Sequence, residues 1–397
     1  MKLTEPRLPV HLVTTGRDLN AHLAEISRSE WVGIDAERAS GFRYSHRAYL
    51  VQISLEDRIL LVDPFELGYE GSWKLDLAAS LAKPLWILHS ATQDLPCLAE
   101  LGITPTRLFD TELAARILGV ERFGLSSIAE AFLGLELEKE HSAADWSKRP
   151  LSDSMLRYAA LDVDILKDLW ESLKRGLNEA GKAEWANQEF EHLLHFKPKP
   201  AAEEPWRGLP GLSKIRDERG QQIAAGLWAR RDAIAKERDV APGRLVSDRS
   251  IMAVVTNPPE SKGALAKDKN FQGRASRELL NDWWQAIEES KTIKIQKPKL
   301  DPNHMPNHRN WEKRFPEAHL RYTVIRPLML ELSESHGMAP EVLLTPDTLR
   351  RICFSPQSDI ARQLADHSAR EWQIQLCLET IERGLAVAES QQPVVSD

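Results

Sequence analysis

Three short apolar runs open the patterned part of the chain, at residues 31–34, 49–55 and 58–63, each β-branched or aliphatic and each bounded by turn formers, as strands are. Only Glu56-Asp57 separates the last two, so the spacing predicts an antiparallel hairpin. A fourth run, 84–88, gives way to apolar residues three apart at Leu95, Leu98 and Leu101. From there the period is helical, through 111–118, 125–133 and 155–173. Strands followed by helices that pack around them predict a mixed α/β sheet domain ending near residue 195.

Lys197-Pro-Lys-Pro-Ala-Ala-Glu-Glu-Pro205 breaks both periods, and its charges resist burial, so it reads as a linker. Beyond it helical spacing dominates. Val240-Ala-Pro-Gly-Arg-Leu-Val-Ser247 matches Met338-Ala-Pro-Glu-Val-Leu-Leu-Thr345 at an offset of 98 residues, each copy following a helical stretch (221–238 and 320–336). Two related helical modules joined by a basic, proline-containing stretch are expected.

Charge changes this picture. The chain of 397 residues carries a net −7, but residues 205–300 hold 19 Lys/Arg against 12 Asp/Glu, a surplus of +7 that leaves −14 for the rest. An acidic part joined to a basic part suggests cations at one end and phosphate backbones at the other, although a basic face can also be merely solvated. Three scattered cysteines imply neither a disulfide framework nor a zinc site and are expected as small buried residues. The chain has no membrane-length apolar run and no basic-then-apolar leader, so a cytoplasmic protein without a membrane partner is expected.

Candidate chemistry lies in the acidic part. Asp35 and Glu37 stand at a strand end, where the two-residue period aims both to one side. Such a pair suits a hard divalent cation, but it also marks an ordinary exposed strand end. Asp94 falls near a helix start, as an acid favourable to the helix dipole does. Tyr158 and Asp162, four apart, share one helix face, where they either serve a site or simply meet solvent. Arg43, Tyr44, His46 and Arg47 follow the Asp-x-Glu strand in a loop that either contacts phosphates and bases or is merely solvated. Arg230, Arg231, Lys236 and Arg238 lie in one basic helix, open to the same two readings.

The order Asp-x-Glu, Asp, Tyr-x3-Asp resembles the tyrosine-containing branch of the DEDD exonucleases. Further motifs sharpen the resemblance to the ribonuclease D family: Gly33-Ile-Asp-Ala-Glu37, Tyr49-Leu-Val-Gln-Ile53, Leu61-Val-Asp-Pro64, His89 to Asp94, Phe109-Asp-Thr111, Asp145-Trp146 with Arg149-Pro-Leu151, and Tyr158-Ala-Ala-Leu-Asp162. Downstream, Leu209-Pro-Gly-Leu212 and the helices to about residue 290 resemble an HRDC domain, and 320–385 resembles a divergent second one.

The resemblance implies a ribonuclease H-like α/β exonuclease domain (9–196), a linker (197–205), an HRDC domain (206–290), a basic linker (291–310) and a divergent HRDC-like domain (311–390). It implies 3′→5′ hydrolysis of single-stranded RNA ends, releasing nucleoside 5′-monophosphates, with two ions of Mg²⁺ or Mn²⁺. Asp35, Glu37 and Asp162 would hold one ion, and Asp35 with Asp94 the other, while Tyr158 orients water; His89 is a candidate substrate contact beside Arg43, Tyr44, Arg230 and Arg231. The implied partners are tRNA precursors and other small structured RNAs with free 3′ ends, and the implied form is a monomer. A DNA exonuclease and a non-catalytic RNA-binding scaffold remain alternative expectations.

Overall fold

The computed structural model describes residues 2–137, 144–296 and 305–391. Its strands are β1 (Lys2–Leu3), β2 (Val10–Val13), β3 (Trp31–Arg38), β4 (Ala48–Ser54), β5 (Ile59–Val62), β6 (Leu85–Leu88), β7 (Leu108–Asp110) and β8 (Glu136–Leu137). Six of them form a mixed sheet in the order β2-β5-β4-β3-β6-β7, and β1 pairs with β8 separately. The β4–β5 hairpin is antiparallel, closed over Glu56-Asp57 by Leu55 N–H donating to Arg58 O at 2.9 Å. β3 pairs with β4 antiparallel and with β6 parallel.

Both sheet faces are covered, which is why the central strands read as unbroken apolar runs. Val51, Ile53, Leu60 and Val62 belong to one core with Leu19 and Ile26 of the helix Gly16–Arg28. Leu50, Ile59 and Leu61 belong to the other, under Ala159, Ala160 and Val163 of the helix Asp153–Asp164. On β3 the same alternation sends Val32, Ile34 and Ala36 to the first core, so Asp35 and Glu37 share the face of the helix Asp153–Asp164.

The helical pattern at 155–173 is not one helix. The helix Asp153–Asp164 stops at Ile165, and a second runs over Leu166–Glu179 with Leu166, Leu169, Leu173 and Leu177 buried. Arg7 fixes the break, since its side chain takes the Asp164 carboxylate (Nε, 2.9 Å) and backbone carbonyl (Nη2, 2.6 Å). β2, the helix Gly16–Arg28 and β7 are elements beyond those the pattern predicted. β2 is a four-residue edge strand with Val10 and Leu12 partly exposed, too short and too polar in its alternation to stand out.

After residue 204 the helices recur in register. Glu218–Arg238, Pro242–Leu245 and Asp248–Thr256 return 98 residues later as helices starting at Pro316, Pro340 and Pro346. Ser247 and Thr345 are matching caps, accepting from Ser250 N and Thr348 N. The first module docks on the loop after β3: Arg244 Nε donates to Gly41 O at 2.6 Å, and Ala241 N to Phe42 O at 3.0 Å. The second docks on the helix Ala183–Leu194, where Glu189 takes Arg370 at 2.5 Å and Trp372 Nε1 at 2.9 Å. All three cysteines are buried and free. Among the described residues no helix is long and apolar enough to cross a membrane.

Candidate active site

Strand period and helix period meet at one pocket. Asp35 and Glu37 project from β3, and Tyr158 and Asp162, one turn apart, project from the helix above it. One carboxylate oxygen each from Asp35, Glu37 and Asp162 lies within 4.8 Å of the others. Asp94 precedes the helix Leu95–Glu100 and shares a hydrogen bond with Asp35. All five line a cavity of about 390 Å³.

The loop carrying Asp94 is held by a buried acid. Asp110 caps the helix Thr111–Ile117 through Leu113 N at 3.0 Å and also accepts from Ser90 N (3.3 Å) and Ala91 N (2.7 Å). Ser90 adopts φ 61°, a left-handed conformation unusual for a non-glycine residue. Tyr158 is braced by Trp146, whose ring centre lies 6.3 Å away.

Burial dominates the electrostatics. It raises the carboxyl pKa of Asp35, Asp94 and Asp162, with mutual repulsion adding to the last two. Glu37 is pushed up to about 10 by burial first and then by Asp35, Asp162 and Asp94. Arg38 opposes these shifts without overcoming them. Burial and the neighbouring acids also raise the Tyr158 phenol, so it keeps its proton near neutrality. Four clustered carboxyl groups, Asp94 buried and Asp35, Glu37 and Asp162 half-buried, with no ion pair to any of them among the described residues, make a donor set of oxygens alone that fits hard divalent cations.

His89 lines the same pocket. Its Nδ1 lies 3.0 Å from Thr111 Oγ1, which donates to Leu88 O, so the threonine oxygen is the acceptor and Nε2 is left with its lone pair. Burial lowers the ring to about 4, which keeps it neutral.

The other candidate substrate contacts are not in the pocket lining, and Arg230 and Arg231 lie on the basic helix Glu218–Arg238 of the first helical module, where they were expected. Arg43 donates to Ser147 Oγ at 2.7 Å, and Tyr44 Oη donates to Asp232 of the first helical module at 3.1 Å. Both side chains tie the loop down instead of reaching the pocket. Arg230 pairs with Glu289 (3.0 Å) and Asp282 (3.6 Å). Arg231 is 6% exposed and bound to Asp248 at 2.6 Å and Val246 O at 3.1 Å. The pattern of basic residues gave their charge but not their acidic partners. Arg38, Gln93, Glu112 and Phe123 line the pocket although the sequence reading did not single them out. Glu112 directly follows Phe109-Asp-Thr111, a signal that was available.

Comparison with known proteins follows the same division. Residues 10–178 match a 3′-5′ exonuclease family, 221–287 an HRDC domain, and 304–385 a 3′ to 5′ exonuclease C-terminal domain. Ribonuclease D of Sphingobium indicum is 31% identical over 261 residues, which span 64% of this chain and 66% of the relative. The chain belongs to the ribonuclease D family. A crystal structure of a protein from Bifidobacterium adolescentis is similar at 35% identity and TM-score 0.90, over 97% of this chain and 99% of that one. Escherichia coli RNase D shares the fold at 23% identity and TM-score 0.69, over 96% and 99%. The stretches that match the HRDC domain and the exonuclease C-terminal domain contain the two helical modules that recur here at 98-residue spacing.

Proposed function

We propose that this 3′→5′ exoribonuclease hydrolyses the terminal phosphodiester of single-stranded RNA in the pocket of Asp35, Glu37, Asp94, Tyr158 and Asp162. The observation that carries this reading is the convergence of half-buried Asp35, Glu37 and Asp162 oxygens within 4.8 Å, with no ion pair to any of them among the described residues. Asp35, Glu37 and Asp162 would hold one divalent cation, Mg²⁺ or Mn²⁺, and Asp35 with Asp94 a second. When bound, such ions supply Lewis acidity to water and to the leaving 3′ oxygen.

The chain's own groups do the rest. Tyr158 retains its proton and hydrogen-bonds Asp162, so it positions water through its hydroxyl and takes no proton from it. Neutral His89 presents an acceptor to a hydroxyl of the terminal nucleotide. The catalytic unit is residues 9–196, and the modules at 206–290 and 311–390 hold structured RNA whose free 3′ end enters the pocket. Precursors of tRNA and similar small RNAs suit this arrangement, and the protein acts as a cytoplasmic monomer.

A 5′-labelled, 3′-tailed tRNA, unstructured RNA and matched DNA, each with Mg²⁺ or Mn²⁺, test the proposal. Stepwise shortening of RNA with release of mononucleotides, abolished by EDTA, is expected. Internal cuts, or equal turnover in EDTA, contradict it, and a preference for DNA redirects it.

A further inference from the structure

A polar strip lies beside the acid pocket, on the same face of the sheet, and the roles assigned above leave it unused. Gln52 stands opposite Asp35 in the β3–β4 register. Residues directly across an antiparallel pair project to one face with Cβ atoms about 5 Å apart. Gln52 is 0% exposed, and neither its amide nitrogen nor its amide oxygen has a hydrogen-bond partner among the described residues. Two residues on, Ser54 is also buried with its hydroxyl unpartnered. Gly33 faces that hydroxyl, and a Cβ there would collide with Ser54 Oγ, so the strand leaves room for it.

The surrounding layer is mostly apolar, although it also holds Trp146 with an unpartnered buried indole N–H. Leu61 is the β5 neighbour of Gln52, and Leu50, Ala159, Ala160 and Val163 complete the layer. A leucine fills nearly the same volume without the desolvation cost of an unpaired amide, so packing alone does not account for a glutamine here. Asp35, by contrast, needs orienting. Among the described residues, one backbone N–H, that of Ala36, reaches its Oδ1 at 2.9 Å, and Asp94 shares a hydrogen bond with it. In the functional reading above, on which this inference rests, Asp35 faces both cation positions and has to keep both oxygens aimed.

We propose that Gln52 is a positioning residue for Asp35, its amide holding the carboxylate toward the pocket through a buried water between β4 and the helix Asp153–Asp164. A buried water needs two to four polar partners, and Gln52, Ser54 and Asp35 supply them. The amide serves the loaded site and contributes little to folding of the cation-free protein.

That division separates the proposal from a structural role. Mn²⁺ titrated calorimetrically into wild type and Gln52→Leu, with thermal melting of both cation-free proteins and kcat and KM on a 3′-tailed RNA, makes the test. Gln52→Leu is expected to melt at or above wild type, to bind Mn²⁺ about tenfold to a hundredfold more weakly, and to lose kcat with KM for RNA unchanged. Equal Mn²⁺ affinity in the two proteins overturns the proposal, whatever the variant's melting temperature. Gln52→Met offers a second apolar side chain of similar length, and failure of both variants to fold also overturns it, because the amide would then hold the fold itself. Absence of Mn²⁺ binding by the wild type removes the reading of the acid pocket and this inference with it. Wild-type binding with an unchanged variant removes this inference alone.

Discussion

Two sets of carboxylates in the exonuclease domain, one buried and one half-buried, are treated in opposite ways. Asp63, 1% exposed, is clasped by Arg149 through both oxygens at 2.6 and 2.7 Å, and it also caps the backbone at Phe65 and Glu66. Glu37, Asp35 and Asp162 are half-buried with other acids around them and no such clasp among the described residues, and Glu37 is pushed up to about 10. The first arrangement satisfies a charge inside the protein and serves the fold. The second disfavours the charged form of its carboxyls until something that enters pairs with it, and serves chemistry. Substitutions in the two sets should therefore fail differently.

The largest effect is expected from Asp35→Asn. Turnover should fall by roughly 10³-fold or more, because a ligand common to both cation positions is lost. Melting of the cation-free protein should hold or rise, as one of several repelling acids is gone. Asp63→Asn should do the reverse, costing about 3–5 kcal/mol in denaturant unfolding by stranding the Arg149 guanidinium, with activity per folded molecule retained. Tyr158→Phe should lower kcat by about a hundredfold through misplaced water while KM for RNA stays put, a split that steady-state kinetics reads directly.

A smaller effect concerns pH. The His89 ring sits at about 4 in the folded chain against an ordinary 6.5, so between those values the unfolded chain binds a proton that the folded chain refuses. Stability is therefore lost as pH falls from about 6.5 toward 4, and His89 adds no slope above that window. Asp110, pushed up to about 6 by burial, acts with the opposite sign between its ordinary 3.8 and 6, since there the folded chain holds the extra proton. The difference between wild type and His89→Asn isolates the histidine, and the variant should show a weaker loss of stability from pH 6.5 to 4 in urea unfolding.

Much of the pocket was legible through the order of its acidic motifs and their resemblance to the family, while local periods add only which neighbours share a face. Asp35 and Glu37 need only the strand repeat of two, and Tyr158 and Asp162 need only the helix repeat of nearly four. The motif Leu61-Val-Asp-Pro64 and Arg149-Pro-Leu151 were both visible, but their meeting as one ion pair depends on how the chain folds back across 86 residues. The same limit explains Arg43, Tyr44, Arg230 and Arg231. Their partners Ser147, Asp232, Glu289 and Asp248 lie on other elements, so the pairings could not be read from charge and polarity along the chain. The break at Ile165 was hidden for a similar reason, since apolar spacing continues through it and the Arg7 grip that fixes it lies far away in sequence.

The central claim is that Asp35, Glu37 and Asp162 are arranged around a cation position. Crystals soaked in Mn²⁺ and measured for anomalous scattering address it directly. A manganese peak bounded by oxygens of those three residues, absent from crystals of Asp35→Asn, is the result the account requires. No peak in that pocket at saturating Mn²⁺, or one held by other residues alone, contradicts it.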